Sequence, residues 1–399
     1  MIVIGAGASG FFAAINCAIR FPEAKIIMIE KSNKILSKVR ISGGGRCNVT
    51  NHCFDHAQLV KNYPRGEKEL RQVFSRFDVQ HCIAWFADRG VKLKTEPDGR
   101  MFPVSNSSET IIACFLREAD KRHIQIRIQE EALSMKSLPD GRLTLSTSKQ
   151  VYEADAIICC IGGHAQSKHY DFIKKTGHTL SEPVPSLFTF NLPGDPVCEL
   201  MGLSVKSATV KILSTSYKFT GPLLITHWGM SGPAVLKLSA FAAIDLYNCR
   251  YDAGISVNWT GELKETDVKT ILEKQQGSKA MIINTPLFEI PRRLWEYLVS
   301  KAGIASQKSW MELGKKENNK LVEFLINDIY HMQGKTTFKE EFVTSGGVKL
   351  NEIDFKTMQS KKIPGLYFCG EVLNIDGITG GFNFQNAWST AWIASQLGN

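Results

Sequence analysis

The chain opens on an apolar triplet, Ile2-Val3-Ile4, followed by a run of small residues and then an apolar stretch from Phe11 to Arg20. That order predicts a short buried strand, a tight turn and a helix. Lys25 to Glu30 predicts a second strand ending in an acid, which completes one βαβ unit. Helical periodicity recurs over Glu69 to Phe77, Val79 to Arg89 and Glu109 to Lys121. Ile124 to Ile128 and Glu131 to Lys136 read as strands, the second leading into a turn at Pro139-Asp140-Gly141. Ala156 to Ile161 is apolar at every position and ends in Gly162-Gly163, the pattern of a parallel strand covered on both faces. Gly365 to Gly370 repeats that pattern of an apolar run closed by glycine.

From about Pro183 the texture changes. Leu187 to Leu192, Ser207 to Leu213 and Ile255 to Trp259 alternate as antiparallel strands do, and Glu262 to Met332 is helical, with breaks at Pro286 and Pro291. Asn383 to Leu397 closes the chain as an apolar helix. These elements predict an α/β fold with a Rossmann-like, doubly wound parallel sheet in two parts, residues 1–186 and 345–399. The insert between them divides into a barrel-like antiparallel sheet (187–260), a helical subdomain (261–335) and a return strand (336–344).

The small-residue run is Gly5-Ala6-Gly7-Ala8-Ser9-Gly10, a G-x-G-x-x-G placed after a strand and before a helix, with Glu30 at the end of the next strand. In that context Gly5 serves the tight turn, Gly7 lets backbone approach a pyrophosphate, and Gly10 lets helix pack on strand. The helix N-terminus offers free N–H groups to phosphates, and Glu30 accepts hydrogen bonds from a ribose diol. A second Gly-rich loop, Gly43-Gly44-Gly45-Arg46-Cys47-Asn48, follows a basic stretch containing Lys31, Lys34, Lys38 and Arg40. Only one G-x-G-x-x-G is present, so there is no separate nicotinamide domain; NADH or NADPH enters, if at all, as a transient donor. At the other end Gly380-Gly381-Phe382-Asn383 begins a helix whose positive end suits a flavin pyrimidine.

With 399 residues the chain has room for two or three domains, and 43% hydrophobic with 22% charged residues excludes a disordered or fibrous protein. The formal net charge of +9 is spread along the chain, which fits a phosphate-bearing ligand and does not demand nucleic acid. Residues 2–19 lack charge, but three glycines interrupt them and no basic segment precedes them, so they read as neither signal peptide nor membrane span. Ten cysteines without framework spacing read as reduced thiols of a cytoplasmic protein, and no Cys/His cluster has metal-ligand spacing.

The stretches ISGGGRCNVTN (41–51), MFPVSN (101–106), THWGMSGPA (226–234), TSGGV (344–348) and GLYFCGEVLNIDGITGGFNFQNAW (365–388) occur in order along the whole chain. In them the protein resembles the bacterial aminoacetone oxidase-like family of FAD-binding NAD(P)/FAD-dependent oxidoreductases. The resemblance implies non-covalent FAD held by the 5–10 loop, Glu30, Lys31, Lys38, Gly43 to Asn48, Ala132, Leu133, Gly162, Gly163, Gly370, Glu371, Asp376 and Gly380 to Asn383. One departure stands out: where relatives carry a longer loop after the paired glycines, His164-Ala165-Gln166-Ser167 runs quickly into Tyr170-Asp171-Phe172, which alters a loop expected beside the flavin.

His227, in the THWGMSGPA stretch of the insert, and His164, next to Gly163, are the candidate proton carriers; each has a purely structural alternative. Gly229, Ser231 and Gly232 beside His227 suit close backbone approach to a substrate at the domain junction. Cys47 and Cys53, five residues apart rather than four, favour packed thiols over a redox disulfide. Cys159 and Cys160, like Trp388 and Trp392, read as core. The expected function is an FAD-dependent oxidoreductase acting on a small molecule by hydride transfer at flavin N5. The alternatives are a flavoenzyme that modifies RNA, using Lys61, Arg65, Lys68, Arg71 and Arg76 as a basic patch, and a non-catalytic flavin carrier.

Overall fold

The computed structural model describes residues 1–336 and 343–398, and the chain divides into two compact units, Met1–Ser186 with Lys339–Asn399, and Leu187–Phe338. The first unit is built on a parallel sheet of β1 (Ile2–Ile4), β2 (Ile27–Ile29), β3 (Gln125–Arg127), β4 (Ile157–Cys159) and β5 (Leu366–Phe368), in the order β5-β4-β1-β2-β3. Two short antiparallel strands, Ile353–Asp354 and Gln359–Ser360, extend the β5 edge. Every residue of β1, β4 and β5 is buried, which is why these strands read as unbroken apolar runs. The register aligns Ile4 with Cys159 and Ile29, and Cys159 with Phe368. Gly5, Glu30, Cys160 and Cys369 therefore leave the sheet at one carboxyl edge, where open α/β sheets bind ligands.

Helix α1 (Ala8–Arg20) starts three residues earlier than the apolar pattern suggests, because Gly7 is extended and Gly10 packs inside the first turn. Its residues Ser9 to Cys17 are all buried. The closing helix α2 (Phe382–Ala394) lies against it, with Trp388 ring-to-ring 5.3 Å from Phe12 and donating from its indole N–H to the Val49 carbonyl at 2.9 Å. Trp388 is buried in the core of this unit, and Trp392, half-buried, stacks on Phe77 at 5.4 Å. The helix expected over 69–77 runs instead Glu67–Phe74, because Asp78 starts the next one, Val79–Ala87, by accepting from the His81 N–H at 3.1 Å.

The second unit holds a seven-stranded antiparallel sheet: Thr189–Asn191, Ser204–Ile212, Lys218–Thr226, Gly229–Ser231, Asp252–Asn258, Asp328–Gln333 and Lys335–Thr336. Helices Pro233–Phe241, Glu265–Glu273, Arg292–Lys301 and Lys315–Ile326 share its core with Trp259, Trp295 and Trp310. Asp328–Gln333 falls in the segment expected to be helical. Its alternation of buried Asp328, Tyr330 and Met332 with exposed Ile329, His331 and Gln333 makes it a strand. The expected return strand over 336–344 mostly lies outside the described residues; Thr344–Val348 pairs with Leu180–Pro185 in the first unit.

Candidate functional site

The site grows from the carboxyl edge of the parallel sheet. Gly5 has φ +103° and donates to the Ile29 carbonyl at 2.7 Å, and a Cβ there would sit 2.5 Å from the Cys160 carbonyl oxygen. A Cβ on Gly10 would overlap the Gly5 carbonyl. Both glycines are thus required by the protein's own packing. Gly7 differs: a Cβ there meets nothing within 4 Å, and its φ of −93° is open to any residue. It begins α1, which has no side-chain cap and no acid in its first turn. The result is an open concavity at a bare helix N-terminus, which fits the pyrophosphate of a dinucleotide. Glu30 holds the same loop, accepting from the N–H groups of Ala6 at 3.0 Å and Ser32 at 2.9 Å.

Beside it lies a cavity of about 230 Å³ whose lining includes Gly5, Glu30, Lys31, Ala132, Leu133 and His164. Segments far apart in sequence thus meet around one space next to the acid expected to hold a ribose. Burial, with Lys31 and His169 adding to it, pushes the His164 imidazole down to about 4, so the ring is neutral at pH 7. The loop after Gly163, expected beside the flavin, lines this cavity together with Glu30. His164 thus shares a cavity wall with Glu30, the acid expected to hold a ribose. Glu130, which the sequence did not single out, is buried in the cavity wall and accepts from Thr147 Oγ1 at 2.6 Å.

A second cluster surrounds Glu371. Lys38 Nζ donates to it at 2.6 Å and the Thr344 N–H at 3.0 Å, while a Cβ on Gly163 would come 2.6 Å from its carboxyl carbon. Burial pushes the Glu371 carboxyl up, but Lys38 together with the Thr344 and Gly163 N–H groups outweighs it and holds the group below its ordinary range. Gly370, at φ +75°, abuts Ser9 at the start of α1, with 2.7 Å between a Cβ there and the Ser9 hydroxyl. Gly162 faces open space.

The third cluster leads into α2. Gly380 (φ +126°) and Gly381 (φ +93°) precede it, no side chain caps it, and a Cβ on Gly381 would overlap the Thr50 carbonyl. The Asn48 amide, oriented to satisfy its partners, accepts from Gly381 N–H at 2.9 Å. Gly44 and Gly45 face open space, Arg46 pairs with Glu96 at 2.6 Å over the Phe102 ring, and Cys47 is buried with its thiol pushed up to about 12 by burial. Cys47 and Cys53 are both free thiols. Two residues expected at the cofactor make hydrogen bonds within the protein: the Asn383 amide donates to and accepts from Gly377 at 2.8 Å, and the Asp376 carboxylate accepts from Arg65 and Ser186. Phe382 is buried, its carbonyl accepting from Tyr63 Oη. Thr344 Oγ1 and Asn386 Oδ1 are buried with no partner among the described residues.

In the insert, His227 stands exposed at the tip of the hairpin joining Lys218–Thr226 to Gly229–Ser231, its ring 3.9 Å from that of Trp228. The glycines beside it serve the insert's own packing: a Cβ on Gly229 would overlap the Phe190 carbonyl and one on Gly232 would lie 2.9 Å from that of Pro222. Ser231 Oγ accepts from Thr189 Oγ1 at 3.0 Å. Among the expected basic patch, Arg65 is engaged with Asp376, Arg71 pairs with Glu67 at 2.8 Å, and Arg76 donates to the Lys356 carbonyl; Lys61 and Lys68 are exposed. Among the described residues no group of three or more His, Cys, Asp or Glu is arranged to hold a metal, and no helix is long and apolar enough to cross a membrane.

A family model described as HI0933-like protein Rossmann domain matches residues 1–397. The ribosomal RNA dihydrouridine synthase of Escherichia coli (strain K12) is 29% identical over 411 residues, covering 99% of this chain and 96% of that protein. The 3-dehydro-bile acid delta(4,6)-reductase of Clostridium scindens is 27% identical over 407 residues, covering 99% and 97%. Among solved structures, 3-ketosteroid delta1-dehydrogenase from Sterolibacterium denitrificans superposes with a TM-score of 0.53 at 11% identity, covering 99% of this chain and 98% of that one, a likeness of fold alone.

Proposed function

The chain belongs to the HI0933-like Rossmann family of FAD-dependent oxidoreductases, and from that premise we propose that it binds one non-covalent FAD and exchanges hydride at N5 with a small organic substrate. The observation that carries the proposal is the open Gly7 concavity at the uncapped start of α1, next to the Glu30 cavity. FAD, when bound, supplies two-electron hydride chemistry at N5. The α1 N–H groups hold the pyrophosphate, Glu30 the ribose, and Lys31, Ala132 and Leu133 the wall of the adenosine pocket. Glu371, kept ionised by Lys38, accepts hydrogen bonds from hydroxyls of the ribityl chain. The α2 N-terminus at Gly381 turns its positive end to the ring, where it favours developing negative charge. His227 is the proposed proton carrier and NADH or NADPH the proposed transient donor.

The motifs quoted above support placement near the aminoacetone oxidase-like flavoproteins, and ten cysteines without framework spacing support work in the cytoplasm. Both relatives' names denote formation of a reduced product, which supports reduction of a carbon–carbon double bond as the direction of chemistry here. A second reading, an RNA base as substrate, is favoured by the relatives named ribosomal RNA dihydrouridine synthase. Against it, Arg65 is engaged with Asp376 and Arg76 donates to the Lys356 carbonyl, which leaves Lys61, Lys68 and Arg71 of the five basic residues exposed. Anaerobic stopped-flow reduction of the bound flavin by NADH and NADPH, followed by reoxidation with unsaturated carbonyl compounds or unmodified ribosomal RNA, separates the readings. Reoxidation by RNA alone, with steep salt dependence, would replace the first by the second.

A further inference from the structure

The loop of residues 374–382, which delivers the chain to α2, is gripped from one side by residues 62–66. The Asn62 carbonyl accepts from Ile378 N–H at 2.9 Å. Tyr63, 1% exposed, donates its hydroxyl to the Phe382 carbonyl at 2.7 Å and lies against Gly377, where a Cβ would come 3.2 Å from its ring. Arg65 forms an antiparallel bridge with Asp376 and reaches both its carboxylate oxygens, Nε to Oδ1 at 2.5 Å and Nη2 to Oδ2. The same guanidinium donates to Ser186 Oγ at 3.2 Å, and Ser186 in turn donates to Asp376. Gly66, at φ +89°, packs against Ile375 so closely that a Cβ would lie 2.6 Å from Cγ1. Four of these five consecutive residues thus supply ties to Ile375, Asp376, Gly377, Ile378 and Phe382.

We infer that residues 62–66 are a clamp that holds the 374–382 loop, and with it the α2 N-terminus, in the shape FAD binding requires, with Arg65 and Tyr63 as its positioning residues. The inference rests on the reading that α2 faces the flavin. Neither residue need touch FAD. Tyr63 fixes the Phe382 backbone carbonyl in the first turn of α2, and Arg65 fixes the side chain of Asp376, four residues before Gly380. A bidentate guanidinium–carboxylate pair sets orientation as well as distance, which a single hydrogen bond does not. Asp376 is wholly buried and the Arg65 side chain 12% exposed, so the pair is shielded from water.

Removing the cation would strand a buried carboxylate. Burial already pushes the Asp376 carboxyl up, with Arg65 and Ser186 opposing; Glu371 is the other charged group acting on it and adds to the rise. Glu371 is itself held down by Lys38, so it stays ionised while Asp376 titrates. Without Arg65, Asp376 must either hold its proton to higher pH than in the parent or pull its loop toward water. FAD affinity should then acquire a pH dependence that the parent lacks.

The test is the dissociation constant of FAD for the apoprotein, read by quenching of flavin fluorescence from pH 5.5 to 8.5. Arg65→Gln is expected to weaken binding about 10–100-fold at pH 8, the scale of a misplacement of roughly 1 Å, and less at the acid end. Arg65→Gln combined with Asp376→Asn should lose that pH dependence, and Arg65→Lys should recover part of the affinity. Tyr63→Phe removes one hydroxyl from an intact ring and should weaken binding roughly 3–10-fold without unfolding the protein, which keeps the idea testable if Arg65→Gln does not fold. Parental affinity in both Arg65→Gln and Tyr63→Phe would overturn the clamp. So would an Arg65→Gln loss that is uniform in pH and unchanged by Asp376→Asn, because it would mark a merely structural pair. An apo parent chain that binds no FAD would instead refute the underlying cofactor reading.

Discussion

Replacing Gly7 separates what the protein needs from what its ligand needs. A Cβ there meets no protein atom within 4 Å, and φ −93° is ordinary for an L-residue, so Gly7→Ala and Gly7→Val should fold. The apoprotein should even gain about 0.4–1 kcal/mol from the stiffer unfolded chain with alanine. The ligand is another matter. A valine side chain fills the space through which phosphate oxygens reach the α1 N–H groups, and β-branching leaves it little freedom to turn aside. Losing two charge-assisted hydrogen bonds, at roughly 1.5–3 kcal/mol each, removes about 3–6 kcal/mol. That corresponds to about 10²–10⁴-fold in Kd. Gly10→Ala is the contrasting variant: its Cβ collides with the Gly5 carbonyl, an overpacking expected to cost about 1–3 kcal/mol of folding stability whether or not FAD is present. The assay pairs FAD titration by fluorescence with thermal unfolding of the apoproteins. Parental FAD affinity in Gly7→Val, or an apo Gly7→Val that unfolds as readily as Gly10→Ala, would refute the reasoning.

Changing Cys47 and Cys53 together to Ser should leave flavin reduction within about tenfold of the parent, because both are free thiols; loss of reduction would revive a redox role for them. His227→Ala should slow substrate turnover by about 10²–10⁴-fold with FAD retained, as for a lost proton carrier, and parental turnover would leave the residue as hairpin surface. Acid should weaken the fold through His178, which is buried between Thr176 Oγ1 at 2.6 Å and Ser360 Oγ at 2.7 Å. Burial holds its pKa below the ordinary 6.5, so the unfolded chain takes up the proton first. Its contribution is therefore complete above pH 6.5 and declines as pH falls toward the folded-state value, and His164 acts in the same direction. Urea midpoints should drop between pH 7 and pH 5, and a flat profile would contradict this burial argument.

Local patterns carried much of the fold. The apolar triplet, the glycine run and Glu30 announce a βαβ unit because a strand covered on both faces shows no alternation and a phosphate-binding turn has few substitutes for glycine. The strand Asp328–Gln333 escaped because its inward positions begin with an acid. Asp328 is tolerated at full burial only because Lys301, Trp259 and Tyr330 all donate to it, from segments the pattern could not connect. Arg65 shows the same limit at the site. Beside Lys61 and Lys68 it reads as surface charge, and only the tertiary fold brings Asp376, more than 300 residues along the chain, to its guanidinium. His164 was legible as a residue next to a glycine loop, but its sharing a cavity with Lys31 and Glu30 depends on how residues 164–171 pack, which local pattern does not show.

The central claim is one FAD per chain, held without a covalent bond at the start of α1. Purified protein, precipitated with acid and centrifuged, should release FAD into the supernatant at about one equivalent per chain, because a single G-x-G-x-x-G supplies a single pyrophosphate cradle. Flavin remaining in the pellet, release of FMN in its place, or protein that neither carries FAD as purified nor takes it up when the cofactor is added would contradict the account.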